Sequence, residues 1–200
     1  MIRAAYVDAA VLFVDTVKQV GPAQWEHSGL GVWTIRDLVG HTSRALLTVE
    51  MYLARPAVQR EVIRPVDYYL RAQAGQADPA SVAARGREAG AALGPDPIAA
   101  VQDITTRVLA QVQTASDEAL VSTPVGGMRF IDYLPSRIFE LAVHTLDIAA
   151  ALPVTVTLPE SVAAIALHLV ADMAVQPEKT AAMLLAATGR RALPAGFSVL

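Results

Sequence analysis

Four polar residues mark one side of an otherwise apolar segment, and their spacing predicts a long helix. Arg137, Glu140, His144 and Asp147 follow one another at intervals of three, four and three residues in PSRIFELAVHTLDIAAAL. At about 100° of rotation per residue, these positions share one narrow sector of a helix, and apolar residues occupy the rest. Glu140 and His144 lie one turn apart, so a carboxylate and an imidazole point in the same direction. A helix that is apolar on its remaining sides is typical of a helical bundle.

A second histidine lies on another helix-like segment, WTIRDLVGHTSRALLTVEMYL. Thr34 and Asp37 form a capping-box pattern, which predicts that this helix begins after Thr34 and ends near Leu53. His41 stands among apolar residues and directly follows Gly40, whose missing side chain leaves room for another helix or for a ligand. Two imidazoles and one carboxylate from two helices are the components of a metal site in a helical bundle.

Helical periodicity and its stop signals predict an all-α chain. We expect helices at about 3–20, 35–53, 66–74, 80–92, 97–115, 133–152, 160–175 and 178–188. The chain has no repeat and no obvious linker. It is therefore predicted to be a single helical-bundle domain over 1–200, with four long helices, several short ones and a tail at 189–200.

Local signals refine the ends of these helices. Asp96, followed by proline, is expected to cap one helix. Asp132 is expected to cap the helix with the polar stripe, with Pro135 in its first turn. Residues 116–131 are expected to form a loop and residues 154–159 a short extended connection.

The composition excludes several classes of partner and chemistry. Of the 200 residues, 54% are hydrophobic and only 18% are charged, which is typical of a compact globular domain. The net charge is −3 and there is no basic run, so nucleic acid is not an expected partner. The absence of cysteine excludes disulfides, Cys-ligated zinc and a protein thiol as nucleophile. Thiol chemistry would therefore need a thiol supplied by a small molecule.

No segment of the sequence has the character of a signal peptide or a membrane span. Asp8 and Asp15 interrupt the apolar N-terminal segment. The most apolar later segment, VAAIALHLVADMAV, has about one-half to two-thirds of the length of a span and contains His168 and Asp172. We therefore expect a soluble, cytoplasmic protein with no membrane partner.

Each candidate residue also has a purely structural interpretation. The polar stripe could be a solvated helix face with ion pairs three residues apart. His41 could be a hydrogen-bonded core histidine, and this is the expected role of His168 on its Ala-, Leu- and Val-rich helix. His27, in a loop with nearby glycines, is expected at the surface. Trp25 and Trp33 are expected to pack in the core, or at the rim of a pocket.

Three segments together resemble a known family. They are WTIRDLVGH at 33–41, RIFELAVHTLDIAAA at 137–151 and TGRRALPAGFSVL at 188–200. In order and spacing they are similar to the mycothiol-dependent maleylpyruvate isomerase family, which belongs to the DinB-like superfamily of four-helix-bundle metalloproteins. The resemblance spans almost the whole chain, although 55–130 adds little to it. It implies a DinB-like four-helix bundle with extra short helices.

The resemblance also implies a ligand set for a divalent metal ion. In the family, a histidine of the second helix and a glutamate and histidine one turn apart on a later helix bind the metal. These positions correspond to His41, Glu140 and His144. Two histidines and one carboxylate favour zinc, and nickel, manganese or iron could also occupy such a site. Asp147 could orient an imidazole or pair with a cation, and Arg137 could hold Glu140 or reach a substrate carboxylate.

The activity implied by the resemblance uses an external thiol, mycothiol, as the nucleophile. The founding activity of the family adds the mycothiol thiolate to a cis-alkene diacid, allows bond rotation and then eliminates the thiol. Fuller members carry a further C-terminal domain, and this chain stops soon after the bundle, which puts maleylpyruvate itself in question as the substrate. We expect a thiol S-transferase or cis–trans isomerase, with a small-molecule thiol and an electrophilic substrate as partners.

Two alternatives stay open at this point. The same metal could activate water for hydrolysis, or it could be structural in a non-catalytic bundle. A structural site would be closed by a fourth protein ligand, for which Asp147 and His168 are the candidates. The Ala-rich composition with little charge is also compatible with a homodimer.

Overall fold

The computed structural model describes residues 1–75 and 78–200, and its regular secondary structure is almost entirely helical. The helices are α1 (Ile2–Val17), α2 (Ile35–Leu53), α3 (Pro65–Ala74), α4 (Pro79–Ala92), α5 (Pro97–Thr114), α6 (Phe130–Ala151), α7 (Glu160–Met173) and α8 (Pro177–Ala187). Two short strands, β1 (Leu120–Thr123) and β2 (Gly126–Arg129), form an antiparallel hairpin. The predicted all-α class is confirmed. Within the described residues, no helix combines the length and the apolar character needed to cross a membrane.

The four longest helices form the bundle. Helix α1 packs against α5 and α6, and α2 also packs against α5 and α6, so that the four helices close into a ring. Large apolar side chains from all four helices are fully buried, and they include Phe13, Leu38, Leu46, Val108, Ile138 and Leu141. The removal of this apolar surface from water is the main favourable term in folding. The predicted four-helix bundle is therefore the arrangement that the structure has.

The shorter helices cover the outside of this bundle. Helix α4 packs on α2, while α3 and α7 pack on α6. Helix α8 has no buried residue. The tail at 189–200 returns to the protein, because Val199 is buried and its carbonyl oxygen accepts hydrogen bonds from Gln73 (3.2 Å) and Lys179 (2.9 Å).

Two of the predicted helix starts are confirmed by their hydrogen bonds. At the start of α2, the Thr34 hydroxyl accepts a bond from the Asp37 amide (3.2 Å), and Asp37 accepts one from the Thr34 amide (3.1 Å). The helix ends at Leu53, as expected. At the start of α5, the Asp96 carboxylate accepts a hydrogen bond from the Ala99 amide at 3.0 Å. These caps satisfy amides that have no partner within the helix.

The start of α6 differs from the prediction. Residues 116–131 are not simply a loop, because they contain the hairpin, and α6 begins at Phe130. Asp132 therefore lies inside the first turn and does not cap the helix; it forms ion pairs with Arg129 (2.7 Å) and Arg60 (2.8 Å). Pro135 falls in the second turn. Its ring removes one hydrogen bond of the helix there.

The hairpin depends on a segment that lies far away in the sequence. The Ser122 amide donates to the carbonyl oxygen of Arg55 (2.9 Å), and the Ala57 amide donates to that of Leu120 (3.0 Å). Strand β1 therefore pairs with β2 and, in addition, with a segment more than sixty residues away. The second pairing is one that a local sequence pattern does not show.

Glycines allow α2 and α4 to lie unusually close together. A Cβ atom at Gly40 would overlap the backbone at Gly90, and one at Gly86 would lie 2.5 Å from the Trp33 ring. Of the two interpretations of Gly40, the structure supports close packing of a second helix.

Candidate metal centre

Three side chains from two bundle helices converge at one point. His41 comes from α2, and Glu140 and His144 come from α6, which packs against α2. One potential ligand atom from each residue lies within 4.8 Å of the others. The two imidazole rings meet edge to face, with 4.9 Å between their centroids. This group could hold a metal ion, and its role as a ligand set stays a prediction.

Asp147 controls the orientation of His144. Its Oδ2 lies 3.0 Å from His144 Nδ1, and the other ring nitrogen, Nε2, lies 3.4 Å from Glu140 Oε2. The side chains of His144 and Asp147 are only 17% and 28% exposed. A carboxylate behind a histidine is a common arrangement in metal sites, because it sets the tautomer and the ring orientation.

Glu140 is held by a tyrosine from a third helix. The hydroxyl of Tyr69, on α3, donates a hydrogen bond to Glu140 Oε1 at 2.7 Å. The same hydroxyl lies 3.0 Å from the carbonyl oxygen of Ser136. The two oxygens of Glu140 therefore have different neighbours, since Oε1 faces the tyrosine and Oε2 faces His144.

His41 has a buried nitrogen that no group in the described part of the chain satisfies. Its ring stacks on Trp33, with 4.4 Å between the centroids, and Trp33 is fixed by a hydrogen bond from Nε1 to the Ala83 carbonyl oxygen (3.0 Å). His41 Nδ1 is buried without a hydrogen-bond partner among the described residues. Because buried polar atoms in folded proteins nearly always have partners, this side chain fits a site completed by a bound group.

The protonation states also suit a metal site. Burial lowers the pKa of His41 to about 4, and the charge of His144 adds to this effect. Burial alone would raise the pKa of Glu140, but the hydrogen bond with His144 and the charge of Arg137 lower it to about 2. Burial disfavours the charged form of His144, but its hydrogen bonds with Asp147 and Glu140 raise its pKa to about 9. At neutral pH two of the three side chains are therefore ready to bind a metal, and His144 carries a proton that the metal would displace.

Arg137 is buried beside this centre without an ion pair to Glu140 among the described residues. Its guanidinium group lies over the rings of Tyr68 and Tyr133, at 5.1 Å and 4.9 Å from their centroids. Its Nε donates a hydrogen bond to Ser136 Oγ at 3.1 Å. The two tyrosine rings hold the guanidinium through cation–π contacts.

A cavity of about 520 Å³ opens beside the centre. Its lining includes His41, Glu140, Tyr52, Tyr68, Tyr69, Arg44, Arg85 and Arg137. Within the described part of the chain, none of the three arginines forms an ion pair with a carboxylate. The volume is in the range of small-molecule sites, and the unpaired guanidinium groups favour an anionic ligand.

The remaining sequence candidates lie outside the centre. The expectation that His168 is a core histidine is wrong, because α7 exposes it and its Nδ1 bonds to the Ala164 carbonyl oxygen of its own helix (2.7 Å). His27 is exposed, as predicted. Trp25 and Trp33 are buried, as predicted.

Sequence reasoning missed several side chains of the cavity. Arg44 follows His41 by three residues, so helical spacing could have placed both on one face of α2. Tyr68 and Tyr69 lie on α3, within 55–130, where the sequence has no motif that distinguishes them from ordinary core residues.

The comparison with protein families agrees with this geometry. Residues 7–149 match the model of the mycothiol maleylpyruvate isomerase N-terminal domain, a region that contains His41, Glu140 and His144. The chain belongs to this family. Membership implies a mycothiol-related, metal-dependent enzyme. No curated protein and no solved structure matches the chain significantly.

Proposed function

We propose that this protein is an enzyme that binds a divalent metal ion, with zinc favoured, through His41, Glu140 and His144. It uses mycothiol as an external thiol in an S-transferase or cis–trans isomerase reaction. The observation that carries the proposal is the convergence of these three side chains beside a cavity of about 520 Å³. Membership of a mycothiol-related family supports the choice of thiol.

The number of protein ligands favours catalysis over a structural metal. A structural site needs a fourth protein ligand, whereas a catalytic site keeps a position open. Of the two candidates for that fourth ligand, Asp147 hydrogen-bonds to His144 Nδ1, and His168 is exposed on α7 and bonds to the Ala164 carbonyl oxygen of its own helix. Neither belongs to the group of three among the described residues.

The chain has no thiol of its own, so the nucleophile comes with the small molecule. A bound divalent cation supplies the charge that keeps a thiol deprotonated near neutral pH. The protein contributes orientation: Asp147 fixes the ring of His144, and Trp33 confines the ring of His41.

The electrophilic substrate is proposed to be an anion held by Arg137. Arginine binds a carboxylate through two parallel hydrogen bonds, which fixes the orientation of the substrate. Tyr68 and Tyr133 keep the guanidinium group in place at the cavity wall, and Arg44 and Arg85 add positive charge to the same wall.

The proposed metal site is tested by metal content. Elemental analysis of the wild type and of His168→Ala should find about one metal ion per chain. His144→Ala should lose it. His168→Ala is the control, because it removes a histidine from another apolar helix outside the centre. Equal metal in all three proteins, or none after reconstitution with zinc, would refute the site.

Binding of the thiol and of the anion is tested by calorimetry. Mycothiol should release or absorb heat only with the metal-loaded protein; metal binding without thiol binding would favour hydrolysis or a structural metal instead.

Maleate should bind roughly 10–100-fold more weakly to Arg137→Gln than to the wild type, because a charged hydrogen-bonded contact is lost. Arg191→Gln, an exposed change of equal charge, should bind maleate as the wild type does.

A further inference from the structure

Tyr69 reaches the metal centre from outside the bundle helices that form it. Its side chain is 5% exposed and lies edge to face against Phe139 and Tyr68, with 5.5 Å between the ring centroids in both pairs. These contacts leave its hydroxyl little freedom, and the hydroxyl lies 2.7 Å from Glu140 Oε1.

The hydroxyl group of Tyr69 has one proton to donate and two possible acceptors. Ser136 offers a backbone carbonyl oxygen at 3.0 Å, and Glu140 offers a carboxylate oxygen at 2.7 Å. Hydrogen bonds to an ionised acceptor are shorter and stronger than those to a neutral one. The proton of Tyr69 therefore points to Oε1, and this oxygen is engaged before any metal binds.

We propose that Tyr69 is a positioning residue that makes Glu140 a one-oxygen ligand. With one lone-pair site of Oε1 held by the tyrosine, Oε2 is the oxygen better placed to join His41 and His144 around a metal ion. The coordination position that the second oxygen would fill stays available to a thiol or a substrate. This inference rests on the proposed function, because it assumes that the three side chains bind a metal.

A second buried tyrosine provides a matched control. Tyr133, on α6, is fully buried, and its hydroxyl donates to Thr48 Oγ1 at 2.9 Å. It makes no hydrogen bond with Glu140 among the described residues. Replacing either tyrosine by phenylalanine removes one hydroxyl and keeps the ring, so both variants retain the packing of the core.

The test is a titration of the metal-free wild type, Tyr69→Phe and Tyr133→Phe with Co²⁺, followed by visible absorption. Loss of a hydrogen bond to a ligating carboxylate typically costs 10–100-fold in metal affinity, and we expect a loss of roughly this size for Tyr69→Phe alone. Its cobalt spectrum should also weaken, because the released second oxygen raises the coordination number. Tyr133→Phe should match the wild type in both respects.

The outcomes separate this inference from the proposed function. If Tyr69→Phe binds Co²⁺ with the affinity and spectrum of the wild type, the inference is wrong and the metal site stands. Equal losses in both tyrosine variants would indicate general loosening of the core and would also overturn it. If the wild type binds no Co²⁺, the inference and the proposed function are both wrong.

Discussion

Helices α6 and α7 look alike in sequence and have different roles in the structure. Each is apolar and carries one histidine with an aspartate three or four residues later. On α6, His144 is 17% exposed and lies between Glu140 and Asp147. On α7, His168 is exposed and bonds only to a carbonyl oxygen of its own helix among the described residues.

The difference comes from how many sides of each helix are covered. Helix α6 packs against α1, α2, α3 and α7, whereas α7 lies outside and leaves Leu167 66% exposed. A polar residue on α6 must therefore find partners inside the protein, while one on α7 can face water. Apolar neighbours in the sequence do not distinguish these two cases.

The largest expected effect is the pH dependence of metal binding on α6. Because His144 must lose a proton held with a pKa of about 9, the affinity of the metal-free protein for Co²⁺ should rise about tenfold per pH unit between about pH 6 and 9. Titrations at several pH values, with proton release measured in parallel, check this. His168→Ala should give the same slope, and a flat profile would mean that His144 is not a ligand.

The stability of the metal-free protein should change with pH in the opposite direction. The raised pKa of His144 stabilises the fold fully below its ordinary value of 6.5, and this contribution is lost as the pH rises through about 9. Thermal unfolding with a chelator present measures the change, which His144→Ala should remove.

The next largest effect is on the free energy of unfolding, for which one leucine from each helix is compared. Leu141, on α6, is fully buried, and Leu167, on α7, is 66% exposed. Leu141→Ala should lower the free energy of unfolding by about 2–5 kcal/mol, because it leaves a cavity in the core. Leu167→Ala should change it by less than about 0.5 kcal/mol. Urea denaturation measures both, and similar losses would contradict the outer position of α7.

The smallest of these effects compares the aspartates. Asp147→Asn removes the charged partner of His144 Nδ1 and should weaken metal binding by roughly 10–100-fold. Asp172→Asn makes the same change on α7 and should leave the affinity unaltered. Equilibrium dialysis against zinc gives both constants. An equal effect of the two substitutions would show that net charge matters and the contact does not.

Local sequence signals predicted most of the helices and part of the centre. The caps at Thr34 and Asp96 were predicted because their hydrogen bonds involve residues only three positions away. The pairing of Glu140 with His144 was predicted for the same reason, since one helical turn brings them together. For His41 the residues alone left both a metal ligand and a core histidine open, and the family resemblance favoured the ligand.

Several of the features that sequence reasoning missed depend on distant contacts. The hairpin at 120–129 is completed by the segment around Arg55 and Ala57. Tyr69 reaches Glu140 across 71 positions of the chain. The predicted core position of His168 was wrong because the surroundings of this residue depend on which face of α7 packs against the bundle.

The sequence by itself determined most of the helices, the caps at Thr34 and Asp96 and the single polar stripe of α6, because these follow from hydrogen bonds and side-chain spacing within one or two turns. Only the tertiary structure decided which residues the stripe meets. The packing of α2 and α3 against α6 brings His41 and Tyr69 to Glu140, and it leaves Arg137 between two tyrosine rings beside a cavity. These contacts arise from burying the apolar faces of all the helices at once, which no single segment of the chain encodes.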